Sequence, residues 1–142
     1  MVEVLVRSLA GMTHQITARA HELLVDEPLP VGTDQGPTPY ELLLAALGAC
    51  TAMTVRLYAE RKGWPLSSVE VRLSHERMHA EDCADCDTRE GFLDHITKHL
   101  TLHGELDDEQ RTRLAEIAER CPVQRTLQRE VVIEQRVSTS SV

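Results

Sequence analysis

Cys50, inside the apolar run LLLAALGAC, and Cys121, directly before Pro122 in AERCPVQRTL, are the residues best placed to do chemistry. A thiol reacts or ligates only as thiolate, so its surroundings decide its role. Proline disfavours αR geometry at the residue before it, which makes Cys121 the expected N-cap of a short following helix. A thiol there meets free backbone amides, with Arg120 and Arg125 close in sequence, and both features favour thiolate. Cys50 has no such local device. It needs an arginine supplied by the fold, or a proton shared with Cys121. The competing reading makes both cysteines small buried hydrophobes, which are common in cores. Residue pattern alone leaves the two readings open.

A second cluster, His79, Cys83 and Cys86, has the form H-x3-C-x2-C. Two thiolates and a neutral imidazole can converge on zinc, with Asp82, Asp85 or Asp87 as a fourth ligand. The acids at 81, 82, 85 and 87 disfavour a thioredoxin-like role and suit a cation or an unreactive surface hairpin. No second CxxC accompanies it. His95, His99 and His103 share one strand face, but four strand residues span roughly 13 Å, too far to ligate one ion unaided. Trp64, just after Gly63, is expected to pack against a helix end, and Arg56, Arg61 and Lys62 to form a solvated face.

The elements that must position these groups can be read from periodicity and caps. Residues 2–8 and 13–20 alternate as half-buried strands about a turn at Gly11, and 21–28 reads as a third strand ended by Pro28. Thr38, Pro39 and Glu41 form a capping box that opens a helix running to about Lys62, with Gly63 as its stop. Residues 42–49 are apolar nearly all round, so this helix should be enclosed, with a partner subunit as its cover. Strands follow over 66–79 and 92–103, joined by a polar hairpin. A helix is predicted over 107–120, a short one after Pro122, and a final strand over 129–137. On the 107–120 helix, Leu114, Ile117 and Ala118 mark an inward stripe that Cys121 continues. The order βββ, helix, ββ, two helices, β describes an α+β domain spanning 1–142.

Composition narrows the function classes. The 142 residues carry a formal charge of -8, with 42% apolar and only 3% aromatic residues. An acidic chain without basic, aromatic-rich stripes is a poor partner for nucleic acid. The N-terminus lacks a signal-like apolar core, and the run 42–53 is too short for a bilayer, so a cytoplasmic protein without membrane contact is expected. Four cysteines in that setting point to reduced thiols, a redox pair or a metal.

The segments GPTPYELLLAALGACTAMTVRLYAERKGWPL and ERCPVQRTL resemble the OsmC/Ohr family of osmotically inducible and organic-hydroperoxide-resistance proteins. HAEDCADC resembles a less characterised branch of it. The resemblance covers nearly the whole chain. It implies antiparallel sheets around a long central helix, in an intertwined homodimer. It also implies oxidative-stress defence by thiol peroxidation, with no cofactor required. Cys50 would attack an organic hydroperoxide, Cys121 would resolve the sulfenic acid to a disulfide, and an external dithiol would reduce it. The family's thiolate-supporting arginine maps to Arg19 in preference to Arg7. Its glutamate position holds Tyr40, with Glu41 adjacent, so Glu41 stands as both cap and candidate catalyst. A non-enzymatic domain that binds a small apolar ligand or a metal is the alternative.

Overall fold

A computed structural model describes residues 1–141. Among the described residues, five strands and three helices follow the expected order up to residue 127: β1 (Leu5–Ser8), β2 (His14–Ala18), β3 (His21–Val25), α1 (Pro39–Lys62), β4 (Leu66–His79), β5 (Phe92–Gly104), α2 (Asp108–Ala118) and α3 (Pro122–Leu127). A single 3-10 turn, Ala80–Asp82, leads from β4 into the hairpin connection. The strands form a three-stranded sheet in the order β1-β2-β3 and a two-stranded sheet of β4 and β5. This is an α+β fold with antiparallel sheets and a central helix. The chain divides into two compact units, Met1–Gly48 with Leu73–Lys98, and Ala49–Arg72 with His99–Val142.

In the first unit, β1 pairs antiparallel with β2 in the register Leu5 to Thr17, and β2 with β3 in the register His14 to Val25. Gly11 takes a positive φ of 59° at the β1–β2 turn, as a chain reversal there requires. The third strand ends at Val25 because Asp26 leaves the ladder to organise the loop that follows. Its buried carboxylate accepts hydrogen bonds from the Thr13 hydroxyl (2.7 Å), the Thr33 hydroxyl (2.9 Å) and the amides of Glu27 (2.7 Å) and Gln35 (3.1 Å). The Thr13 bond is the largest cause, and together these donors hold the carboxyl far below the usual carboxylate range against the cost of burial. Gly32 lies so close that a Cβ there would collide with the Glu27 carbonyl and the Asp26 carboxylate.

Asp26→Asn should therefore lower the melting temperature, since it removes acceptor capacity at a buried site. The sign with pH follows from the depressed carboxyl. The wild-type advantage is full above the unfolded-state value of about 4 and shrinks as pH falls below it. Thermal melts of both proteins between pH 7 and pH 3 check this.

α1 begins as its sequence dictates. The Thr38 hydroxyl accepts from the Glu41 amide (3.2 Å), and the Glu41 carboxylate accepts from the Thr38 amide (2.8 Å). Gly63, with φ of 69°, ends the helix. By length and composition α1 could cross a membrane, at a mean hydropathy of 1.6 over a span wider than the run 42–53.

The core of the second unit gathers Val55 and Ala59 from α1, Leu66, Leu106, and Leu114 and Ala118 from α2. Trp64 packs against this core and meets Tyr58 edge-on at 5.6 Å, as a residue past a helix end should. Arg56 differs from expectation. Its guanidinium donates to the carbonyls of Leu66 (2.6 Å) and Ser67 (3.0 Å), tying α1 to the start of β4. α2 opens on a capping box of Asp107 and Gln110.

One expectation needs correction. The predicted strand over 129–137 has no regular structure, and Val132 and Ile133 are exposed at 82% and 86%. A strand is held by a neighbour's backbone, and within the described chain none of the five strands pairs with it. Within the single chain α1 is only partly enclosed, with Leu43, Met53 and Leu57 exposed.

Candidate active site

Cys50 lies midway along α1, and Cys121 sits between α2 and α3, both in the second unit. The helical repeat turns Cys50 toward the face that also carries Leu43, Ala46, Met53 and Leu57. These four neighbours are exposed, while Cys50 is half-buried. Cys121 continues the inward stripe of Leu114, Ile117 and Ala118 and is wholly buried. It adopts an extended conformation ahead of Pro122, as a residue before proline must, and forms the N-cap of α3.

The two free thiols hydrogen-bond to one another. Burial raises the Cys50 thiol above its ordinary value, and its bond to Cys121 raises it further. Burial also acts against ionisation of Cys121. There it is outweighed by hydrogen bonds from Cys50, the Gln124 amide, the Thr51 hydroxyl and the Val123 amide, so the Cys121 thiol falls below its ordinary value. Of the two sulfurs, Cys121 is thus the more readily ionised and Cys50 the more firmly protonated. The donors that lower the Cys121 thiol are Cys50, the helix amides that the sequence pointed to and the Thr51 hydroxyl, rather than Arg120 or Arg125.

Thr51 is the residue sequence reasoning missed. It is wholly buried next to Cys50 in the chain and turns toward Cys121. A threonine inside an apolar helix was the available signal, because a buried hydroxyl must find a partner. Thr54 is differently engaged, its hydroxyl donating to the Cys50 carbonyl at 2.7 Å.

A chain with one buried cysteine, one half-buried cysteine and this topology can be compared with known folds. The family model described as OsmC-like protein matches residues 32–136, which include both cysteines. The chain belongs to the OsmC-like family. None of the curated proteins matches it. Among solved structures, an OsmC-like protein from Mycoplasma pneumoniae superposes with a TM-score of 0.71 at 20% identity, over 90% of this chain and 87% of that one. An organic hydroperoxide resistance protein OsmC from Legionella pneumophila gives a TM-score of 0.62 at 17% identity, over 90% and 89%. An organic hydroperoxide resistance protein from Elizabethkingia anophelis gives 0.62 at 16% identity, over 90% and 88%. At these identities the likeness shows the OsmC-like fold.

The remaining candidates expected from sequence are Glu41, Tyr40, Arg19 and Arg7. Glu41 is engaged in the capping box at the first turn of α1. Tyr40 beside it stacks on His75 with ring centroids 4.8 Å apart, and His75 Nε2 meets Asp94 Oδ1 at 2.8 Å. Arg19 occupies the β2–β3 turn, exposed, with a positive φ of 55°. Arg7 is exposed on β1.

The hairpin cluster is not assembled as a metal site. Cys83 and Cys86 are joined in a disulfide, and the His79 ring packs on Phe92 at 4.5 Å. Zinc needs both sulfurs as thiolates, which the bond between them precludes. Among the described residues, no group of three or more His, Cys, Asp or Glu side chains is arranged to hold a metal. His95 and His103 face solvent, 3.3 Å from Glu76 and 3.5 Å from Glu70 respectively.

Proposed function

We propose that the chain is a thiol-dependent peroxidase that reduces organic hydroperoxides through Cys50 and Cys121. The observation that carries this reading is the pairing of the half-buried Cys50 with the buried Cys121, the first thiol raised and the second lowered from the ordinary value. Cys50 is the sulfur a substrate can reach, and Cys121 is the base beside it. The Cys121 thiolate takes the Cys50 proton as the peroxide arrives. Cys50 then attacks the distal oxygen of ROOH and the O–O bond breaks. The departing alkoxide leaves as ROH with the proton held on Cys121, and Cys50 becomes a sulfenic acid. The regenerated Cys121 thiolate attacks that sulfur, a Cys50–Cys121 disulfide forms, and hydroxide leaves to become water by taking a solvent proton. An external dithiol then returns both sulfurs to the starting state.

The substrate class follows from the setting of Cys50. The apolar face of α1 beside the thiol suits an alkyl or lipid hydroperoxide better than hydrogen peroxide. That same uncovered face, with the exposed apolar residues of 129–137 and of β1, supports a homodimer in which a second copy supplies the missing cover. Met53→Glu should then shift the protein toward a monomer of 15.9 kDa by analytical ultracentrifugation, while the wild type sediments as a dimer.

Steady-state assays with tert-butyl hydroperoxide and dithiothreitol test the activity. Turnover should exceed that with hydrogen peroxide. Ligand retention without peroxide consumption would instead support a binding domain.

A further inference from the structure

The disulfide at the β4–β5 tip takes no part in the chemistry above. It joins Cys83 and Cys86 within the connection, with Cα atoms 5.6 Å apart, and both residues are half-buried in an otherwise exposed loop. The hairpin does not depend on it for closure. Beneath the bond, the buried Ala80 donates its amide to the Gly91 carbonyl (2.9 Å), and the Cys83 amide returns to Ala80 (3.2 Å). His79 packs on Phe92, and the Arg77 guanidinium lies over the same ring at 5.1 Å. A bond that closes only a short ring removes little chain entropy. A structural staple would more usefully join the two strands.

We infer that Cys83–Cys86 is a second dithiol–disulfide centre, separate from Cys50 and Cys121, which exchanges electrons with external dithiols at the hairpin tip. In the reducing direction, a thiolate of the external dithiol attacks one hairpin sulfur and the Cys83–Cys86 bond breaks. A mixed disulfide forms. The external molecule's second thiol displaces the attached cysteine, so the external dithiol leaves oxidised and both hairpin sulfurs take up protons. The carboxylates of Glu81, Asp82, Asp85 and Asp87 surround the pair in sequence and are all exposed. They disfavour thiolate, so the reduced hairpin gains no stabilisation from ionising.

The test uses the full chain carrying Cys50→Ser and Cys121→Ser, so that every thiol counted belongs to the hairpin. The protein is equilibrated with reduced and oxidised dithiothreitol, alkylated and weighed. Two thiols should appear together in a single two-electron transition with the circular dichroism spectrum unchanged. In Cys86→Ser of the same background, oxidised glutathione should add once, on Cys83. The inference is overturned if the bond resists the dithiol until denaturant is added, if reduction unfolds the protein, or if the freed cysteines take up stoichiometric zinc. Because the background lacks both core cysteines, failure of the peroxidase reading would leave the hairpin result standing.

Discussion

Replacing Cys50 by serine should lower kcat/KM for tert-butyl hydroperoxide by at least about 10³-fold, a loss of about 4 kcal/mol of transition-state stabilisation. A serine hydroxyl beside Cys121 is neither a comparable nucleophile nor able to form the disulfide. Cys121→Ser should behave differently. One equivalent of peroxide would be consumed, and the sulfenic acid would persist on Cys50, where a cyclic diketone reagent can trap it. With the neighbouring base gone, Cys50 must ionise unaided from a raised value, so attack in this variant should quicken as pH rises. The wild-type rate should level off at lower pH than this variant's, because the Cys121 thiol beside Cys50 ionises below its ordinary value. A stable sulfenate found on Cys121 in Cys50→Ser would exchange the two roles.

Leu114→Ala carries the largest expected effect on stability. Leu114 is wholly buried at the centre of the cluster that joins α1, α2 and Leu66. Truncation loses its transfer free energy and leaves a cavity, together about 2–5 kcal/mol, or a fall in melting temperature of roughly 10 °C or more. Leu127, at the end of α3, is 41% exposed, and Leu127→Ala should cost far less. Thermal and urea melts of the two variants make the comparison. Equal losses would mean that the second unit is not built around Leu114.

The cysteines were legible in sequence because their signals are local. Pro122 fixes the Cys121 backbone, and the 3.6-residue repeat of α2 points its thiol inward, so both survive into the structure. The capping box of Thr38 and Glu41 formed for the same reason, since each partner lies within one turn of the other. What failed was long-range. The apolar pattern of REVVIEQRV specifies a strand but not a partner, and the segment runs unpaired within the described chain. Uniform apolarity along α1 predicts enclosure, yet Leu43, Met53 and Leu57 are exposed, and no pattern within one chain states where a cover would come from. Thr51 was hidden by its type. Threonine in a helix reads as neutral until the fold buries it against a thiol. The CxxC spacing fits a metal site and a disulfide equally well, and only the placement of the two sulfurs separates them.

The central claim is that Cys50 and Cys121 form a peroxide-oxidised pair. Free thiols can be counted before and after one equivalent of tert-butyl hydroperoxide, followed by mass mapping of the linked peptides. The wild-type chain should lose two thiols and yield one new cross-link between the peptides of Cys50 and Cys121, with Cys83–Cys86 unchanged. Retention of both thiols under excess peroxide would contradict the account.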